Sequence, residues 1–351
     1  MASRPSPGPL SPGPLSPGPL SPGLLTAALL LTAALLGGWG LLLGSRPLRP
    51  DTLLSVLLHP SDAIDSILVW TLRLPRSLCA FVGGVGLAVS GLLLQILTRN
   101  PLAGPGLTGV TSGAVTAILL CFVLLPGFSS AYYPLVGLAG GLSAAAATAW
   151  IARGGSGNGG PMRLALGGIS VALFLGAVTT YLILLSGPQS TSLFFWLSGG
   201  FQGGSWPQLL AMTPWVAIGL AGALACLRVI TLFTLSEQAA AGMGLNPALW
   251  KPVLLLLAVL PVAGVAPVAG HVAFVGLASP HIARLLKPPG PGWLIGLTAA
   301  LGGTMVVAAD LVARTVVLPR EIPVSIVAAL IGGPVFLHLV RRHRFSSGSE
   351  V

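Results

Sequence analysis

Uninterrupted apolar runs of about 20 residues, bounded by arginines or by Gly/Pro turns, constrain this chain more than any other feature. The stretch from Leu72 to Gly113 reads LRLPRSLCAFVGGVGLAVSGLLLQILTRNPLAGPGLTGVTSG. Arg73 and Arg76 flank Pro75, an apolar run extends from Ser77 to Leu97 with Gln95 near its end, and Arg99-Asn100-Pro101 closes it. A helix is the form in which such a run satisfies its own backbone hydrogen bonds inside hydrocarbon. Gly83, Gly84, Gly86, Ser90 and Gly91 are too many small residues for a helix that faces only lipid. Small residues let neighbouring backbones approach closely in a bilayer. The sequence therefore predicts that this helix lies inside a bundle.

The rest of the chain agrees with a membrane solvent. Of 351 residues, 54% are hydrophobic and only 7% charged, with a mean hydropathy of +0.93. Soluble domains carry about 25% charged residues. A transmembrane barrel would alternate apolar and polar residues in strands of about ten. The expectation is one all-α integral membrane domain over residues 24–345, with ten spans. These are Leu24–Leu43, Ile67–Leu97, Gly106–Leu125, Tyr133–Ala152, Leu164–Leu185, Pro207–Leu227, Pro252–Ala269, Val272–Leu286, Trp293–Val312 and Ile322–Val340. Residues 1–23 repeat Ser-Pro-Gly-Pro-Leu, which predicts a disordered, polyproline-like tail. Cys79, Cys121 and Cys226 lie in or beside apolar runs at unrelated spacings and read as small buried residues.

Charge sets the orientation. With the N-terminus inside, eleven of the 17 cations fall on the cytoplasmic side, leaving Arg46, Arg49, Arg73, Arg76, Arg314 and Arg320 outside. That bias places both termini in the cytoplasm. The cations punctuate span ends without interleaved aromatics, so the net charge of +10 does not indicate a nucleic-acid partner. Trp39, Trp70, Trp150, Trp206, Trp250 and Trp293 sit near span ends as interfacial anchors facing membrane lipid. Two connections stand out. Gly187–Ser205 is external and holds a short helix, Ser192–Leu197. Val229–Trp250 is a cytoplasmic loop in which Ser236 caps a short helix that Gly242, Gly244 and Asn246-Pro247 end.

No catalytic constellation is present. The sequence has no G-x-x-x-x-G-K-[ST] phosphate loop, no H-E-x-x-H and no G-x-S-x-G. No enzyme activity, cofactor or metal is expected. Only Asp310 of the seven acids falls within a predicted span, near its outer end, which argues against an ion-coupled carrier. His271 and His281, at the two ends of the eighth span, leave a metal-ion permease as a further reading. Arg73, Arg76 and Arg314 share the external face, with Asp310 one turn before Arg314. Their planar forks suit carboxylates. They read either as a docking ring for an acidic external partner or as lipid-headgroup contacts paired with Asp310.

Several blocks also resemble one known family. R-x-P-R at Arg73–Arg76, G-x-x-L-A-x-S-G-x-x-x-Q at Gly84–Gln95 and R-N-P-L-A-x-P from Arg99 are similar to permease subunits of ATP-driven importers for iron-siderophores, haem and vitamin B12. So are VAGHVAFVGLASPHIARLL at Val268–Leu286, A-D-x-x-A-R ending at Arg314, and EIPVSIVAALIGGPVF from Glu321 to Phe336. The blocks keep the family's order over about residues 67–345. The resemblance implies a type II importer permease of ten helices that pairs with a second permease subunit, by expectation a copy of itself. Two cytoplasmic ATPase subunits would bind below and a solute-binding protein above. It further implies that Arg73, Arg76 and Arg314 receive glutamates of the binding protein. ATPase coupling would fall to Ser236, Glu237, Gln238, Ala239, Ala240, Ala241, Gly242, Met243, Gly244, Leu245 and Asn246. Ser236, Gln238, Ser325 and Ala328 depart from the residues usual there. The implied pathway runs along the second, fifth and tenth spans.

Overall fold

The structure is a computed structural model and describes residues 21–44, 46–153, 161–235, 237–318 and 320–334. Among them the chain is helical, with no strand. Prolines and cap residues set many helix starts. Helix α1 (Pro22–Leu42) opens on Ser21, whose Oγ accepts the Leu24 N–H at 3.3 Å, with Pro22 in the first turn where no donor is needed. Short α2 (Pro50–Leu58) and α3 (Ile64–Ile67) follow. A π-helical turn, Leu68–Arg73, leads into α4 (Leu74–Thr98). Next come α5 (Val110–Leu124), α6 (Tyr133–Arg153), α7 (Pro161–Leu185), α8 (Ser190–Leu197) and α9 (Trp206–Ala225). The chain continues with α10 (Leu227–Leu235), α11 (Glu237–Gly242), α12 (Pro247–Ala269), α13 (Val275–Leu285), α14 (Pro291–Thr315) and α15 (Val324–Pro334).

Each of the ten predicted spans overlaps a helix. Seven helical stretches of the described residues are long and apolar enough to cross a membrane: Pro22–Leu42, Ile64–Thr98, Ser130–Arg153, Met162–Leu185, Trp206–Ala225, Pro247–Ala269 and Pro291–Thr315. Val110–Leu124 and Val324–Pro334 are apolar but shorter. The predicted eighth span shrinks to the 11 residues of α13, because Gly270–Phe274 is not helical and Phe274 takes a φ of 66°. The last predicted span runs beyond Pro334, outside the described residues, as do the predicted tail at 1–20, His338 and His343.

Helix α4 is the axis. It packs against α14, α12, α9, α13 and α1. Lipid is as apolar as leucine, so close fit and hydrogen bonds hold such a bundle together. The glycines supply the fit. A side chain at Gly84 would collide with the Gly302 carbonyl of α14, and one at Gly91 with the Gly276 backbone of α13. On other faces Phe201 lies on Gly83 and Val216 on Gly86. Hydroxyls and indoles bond across helices as well. Thr304 Oγ1 reaches Leu29 O at 3.1 Å, Thr116 and Thr179 hydroxyls meet at 2.8 Å, and Trp196 Nε1 donates to Pro267 O at 3.1 Å. The predicted burial of this helix thus holds.

Three expectations need correction. The cytoplasmic connection is not a loop from Val229 onward, because Leu227–Leu235 is helix α10. Its Val229, Ile230 and Phe233 are buried and form one helical stripe in the core. Helix α12 starts at Pro247, before the predicted Pro252, and runs through Pro252, Pro261 and Pro267. Neighbouring helices tolerate such prolines in membranes. Finally, α4 buries most of its length within this one chain, so it offers less free surface than the sequence suggested, with Leu78, Phe81, Val82 and Leu97 partly exposed. By contrast α7 exposes Leu166, Ile169, Leu173, Phe174, Tyr181 and Leu184, and α15 exposes Ile326, Leu330 and Ile331.

Candidate functional site

Two features at opposite ends of the bundle draw the chemistry-bearing residues together. The first is an arginine cluster, built where α4 begins and α14 ends. Pro75 has no N–H to give, and Leu74 N–H reaches back five residues to Val69 O, so the helix widens into a π turn just before the arginines. Arg76 then points at α14. Its Nε lies 3.0 Å and its Nη2 2.9 Å from Asp310 Oδ1, while its Nη1 lies 2.9 Å from each Glu321 oxygen. Asp310 also takes Arg314, one turn later on α14, at 3.1 Å. Arg314 donates to Ser77 Oγ at 3.1 Å and to Gly40 O at 3.2 Å. Arg73 is held by carbonyls, that of Leu41 at 2.6 Å and that of Arg46.

These three arginines are only 4–8% exposed, and Asp310 is fully buried. Burying ions is expensive unless each is paired and hydrogen-bonded. Here one aspartate is shared by two guanidiniums, Glu321 pairs with Arg76, and backbone carbonyls take donors of Arg73 and Arg314, while Arg314 Nε is left without a hydrogen-bond partner. Room for the guanidiniums comes from glycine. A Cβ at Gly40 would strike Arg314, and one at Gly44 would sit 3.0 Å from Arg73. Three arginines against Asp310 and Glu321 leave a local positive excess. The cluster borders a cavity of about 370 Å³ whose walls include Gly44, Arg73, Arg76, Gln202, Gly203, Gly204, Ser205, Arg314 and Glu321. Its chemistry fits an anion, and a carboxylate in particular.

The structure therefore brings Arg73, Arg76 and Arg314 together, as the sequence suggested, but sets them in a recess with their forks turned inward. The pairing with Asp310 that the sequence suggested is present for Arg76 and Arg314. Glu321, Ser77 and the Gly40 turn were missed as members. Glu321 stands 245 residues from Arg76 in sequence, and no local pattern links the two.

The second feature lies at the other end, where Thr98, Arg153 and Lys251 line a cavity of about 670 Å³. Between α10 and α12 the chain makes the short helix α11, as expected. Ser236 lies outside the described residues. The ending is built from Gly244 at φ 83°, whose N–H donates to Ala241 O at 3.0 Å, while Leu245 N–H reaches Ala240 O at 3.0 Å. This pair of bonds is the Schellman arrangement, with glycine at the left-handed position. Leu245 packs against the core, and Asn246 Oδ1 accepts the Ala248 N–H at 3.0 Å to start α12. Leu235, Met243 and Leu249 stay exposed around the turn. The result is a closed knob with an apolar rim. Nearby, Arg284 of α13 donates to Gln95 Oε1 of α4 at 2.6 Å, tying the central helix to this end. His271 precedes α13 and His281 lies within it, and no group of three or more His, Cys, Asp or Glu gathers among the described residues.

Comparison with known proteins agrees with this architecture. The profile of the FecCD transport family matches residues 29–342. Over 310 residues the chain is 34% identical to the Fe(3+)-citrate import system permease protein YfmD of Bacillus subtilis, covering 88% of this chain and 91% of that one. It is 38% identical over 279 residues to the cobalamin import system permease protein BtuC of Halobacterium salinarum, covering 78% and 73%. A metal-chelate type ABC transporter solved in an inward-facing conformation superposes with a TM-score of 0.75 at 28% identity, over 92% of this chain and 99% of that one. With a family profile spanning nearly its whole length and relatives above 30% identity, this chain belongs to the FecCD transport family.

Proposed function

We propose that this chain is the permease subunit of an ATP-binding cassette importer for an iron chelate, haem or a corrinoid in the cytoplasmic membrane. Residues 24–345 form its membrane domain, and both termini face the cytoplasm. A solute-binding protein delivers substrate from outside by placing acidic side chains over Arg73, Arg76 and Arg314. A second permease subunit, a copy of this chain, covers the apolar faces of α7 and α15, and the pathway runs between the copies. Cytoplasmic ATPase subunits grip Ser236–Asn246. ATP is hydrolysed there, in a separate polypeptide, and movement of α11 switches access between the two faces. Relatives named for ferric citrate and cobalamin support the substrate class.

The observation that carries this reading is the placement of two unlike features at opposite ends of one bundle: a cationic recess at one, a closed apolar-rimmed knob at the other. An ion-coupled carrier is not favoured, because Asp310, the sole acid within α14, is already spoken for by two arginines. The docking role is tested with Arg73→Glu combined with Arg76→Glu. Association with the binding protein is expected to weaken by at least about tenfold, and its salt dependence to flatten. Unchanged affinity and salt slope in a folded double variant exclude it.

A further inference from the structure

One member of the arginine cluster behaves differently from the others. Asp310 is fully buried on α14 and serves two arginines at once, so it is fixed in place. The Glu321 side chain is 36% exposed and borders the cavity. It binds through one atom of the Arg76 fork, Nη1, at 2.9 Å from each oxygen, leaving Nε and Nη2 to Asp310. Its backbone belongs to the non-helical link before α15, and that link is anchored independently by Ile322 N–H on Ala313 O at 3.0 Å. The Glu321 carboxylate can swing away without unmaking a helix, whereas the Asp310 carboxylate cannot.

We propose that Glu321 is the built-in occupant of this recess, and that docking of an acidic partner is a carboxylate exchange. The partner's glutamate or aspartate enters the cavity, takes Arg76 Nη1, and displaces Glu321 toward solvent. This rests on the docking reading above and adds to it the identity of the residue that competes. Because Glu321 is tethered, its effective concentration at Arg76 is high. It lowers the partner's apparent affinity in proportion to the time it spends bound. It also covers a buried cation whenever no partner is present, so the resting permease does not hold an uncompensated charge there.

The full chain in lipid nanodiscs is titrated with poly-L-glutamate as the carboxylate probe, alongside Glu321→Gln, Glu321→Ala and each change combined with Arg76→Gln. If Glu321 holds Arg76 about nine-tenths of the time, its removal tightens the probe's Kd about tenfold. Both single variants should show that gain, and Arg76→Gln should erase it. Unchanged or weaker binding in both single variants overturns the exchange. The docking reading then still stands if Arg73→Glu with Arg76→Glu weakens wild-type binding. If neither wild type nor the Glu321 variants bind the probe, both readings fall.

Discussion

Asp310 carries the heaviest duty of any single side chain here. It is the fully buried acid that lets Arg76 and Arg314 exist 10% and 5% exposed at their side chains. Removing one partner of a buried pair strands the other charge, at a cost of about 3–5 kcal/mol. Asp310→Ala should therefore lower unfolding stability by about that amount or more, since two guanidiniums lose their shared partner. Unfolding in detergent followed by circular dichroism measures this, and a loss below about 1 kcal/mol would mean that the cluster is not held as the distances imply. At this scale the sequence was partly legible. The arginines declared themselves by sitting at span ends, and the spacing of Asp310 and Arg314 announced an i,i+4 pair. The roles of Glu321 and Ser77 were hidden, because partners more than two hundred residues apart meet only once helices pack.

At the scale of elements, the glycine spacing in α4 was the most readable feature. Gly84 and Gly91, two turns apart on one face of α4, touch α14 and α13 backbone: both are contact points, with no room for a side chain. Gly91→Leu should separate α4 from α13 and break the Gln95–Arg284 link one turn away, whereas Gly37→Leu on α1, where nothing lies within 4 Å, should be near neutral. Comparing folded yield and thermal stability of the two variants checks this, and equal behaviour would contradict the packing account. The α10 helix was less readable. Thr231 and Thr234 interrupt its apolar residues, and only burial of Val229, Ile230 and Phe233 against the core decides for helix. The shortness of α13 was also beyond sequence, since the apolar pattern continues through Val272 and Phe274 while the backbone does not.

On the proposed reading the molecule as a whole is driven by a separate polypeptide. Its charges are largely paired at one end, its knob is closed at the other, and its core helix is packed by backbone contacts. In the proposed function, energy enters through the surface around α11 and cargo through the recess around Arg76. Uptake of radiolabelled ferric citrate, haem and cobalamin into proteoliposomes tests that division of labour most directly. The chain alone should accumulate none of them against a gradient. Adding cognate ATPase subunits and a solute-binding protein, plus ATP, should start accumulation of one substrate, and Glu237→Lys in a folded permease should stop it. Uphill accumulation by this chain alone, without nucleotide or companion, would contradict the account.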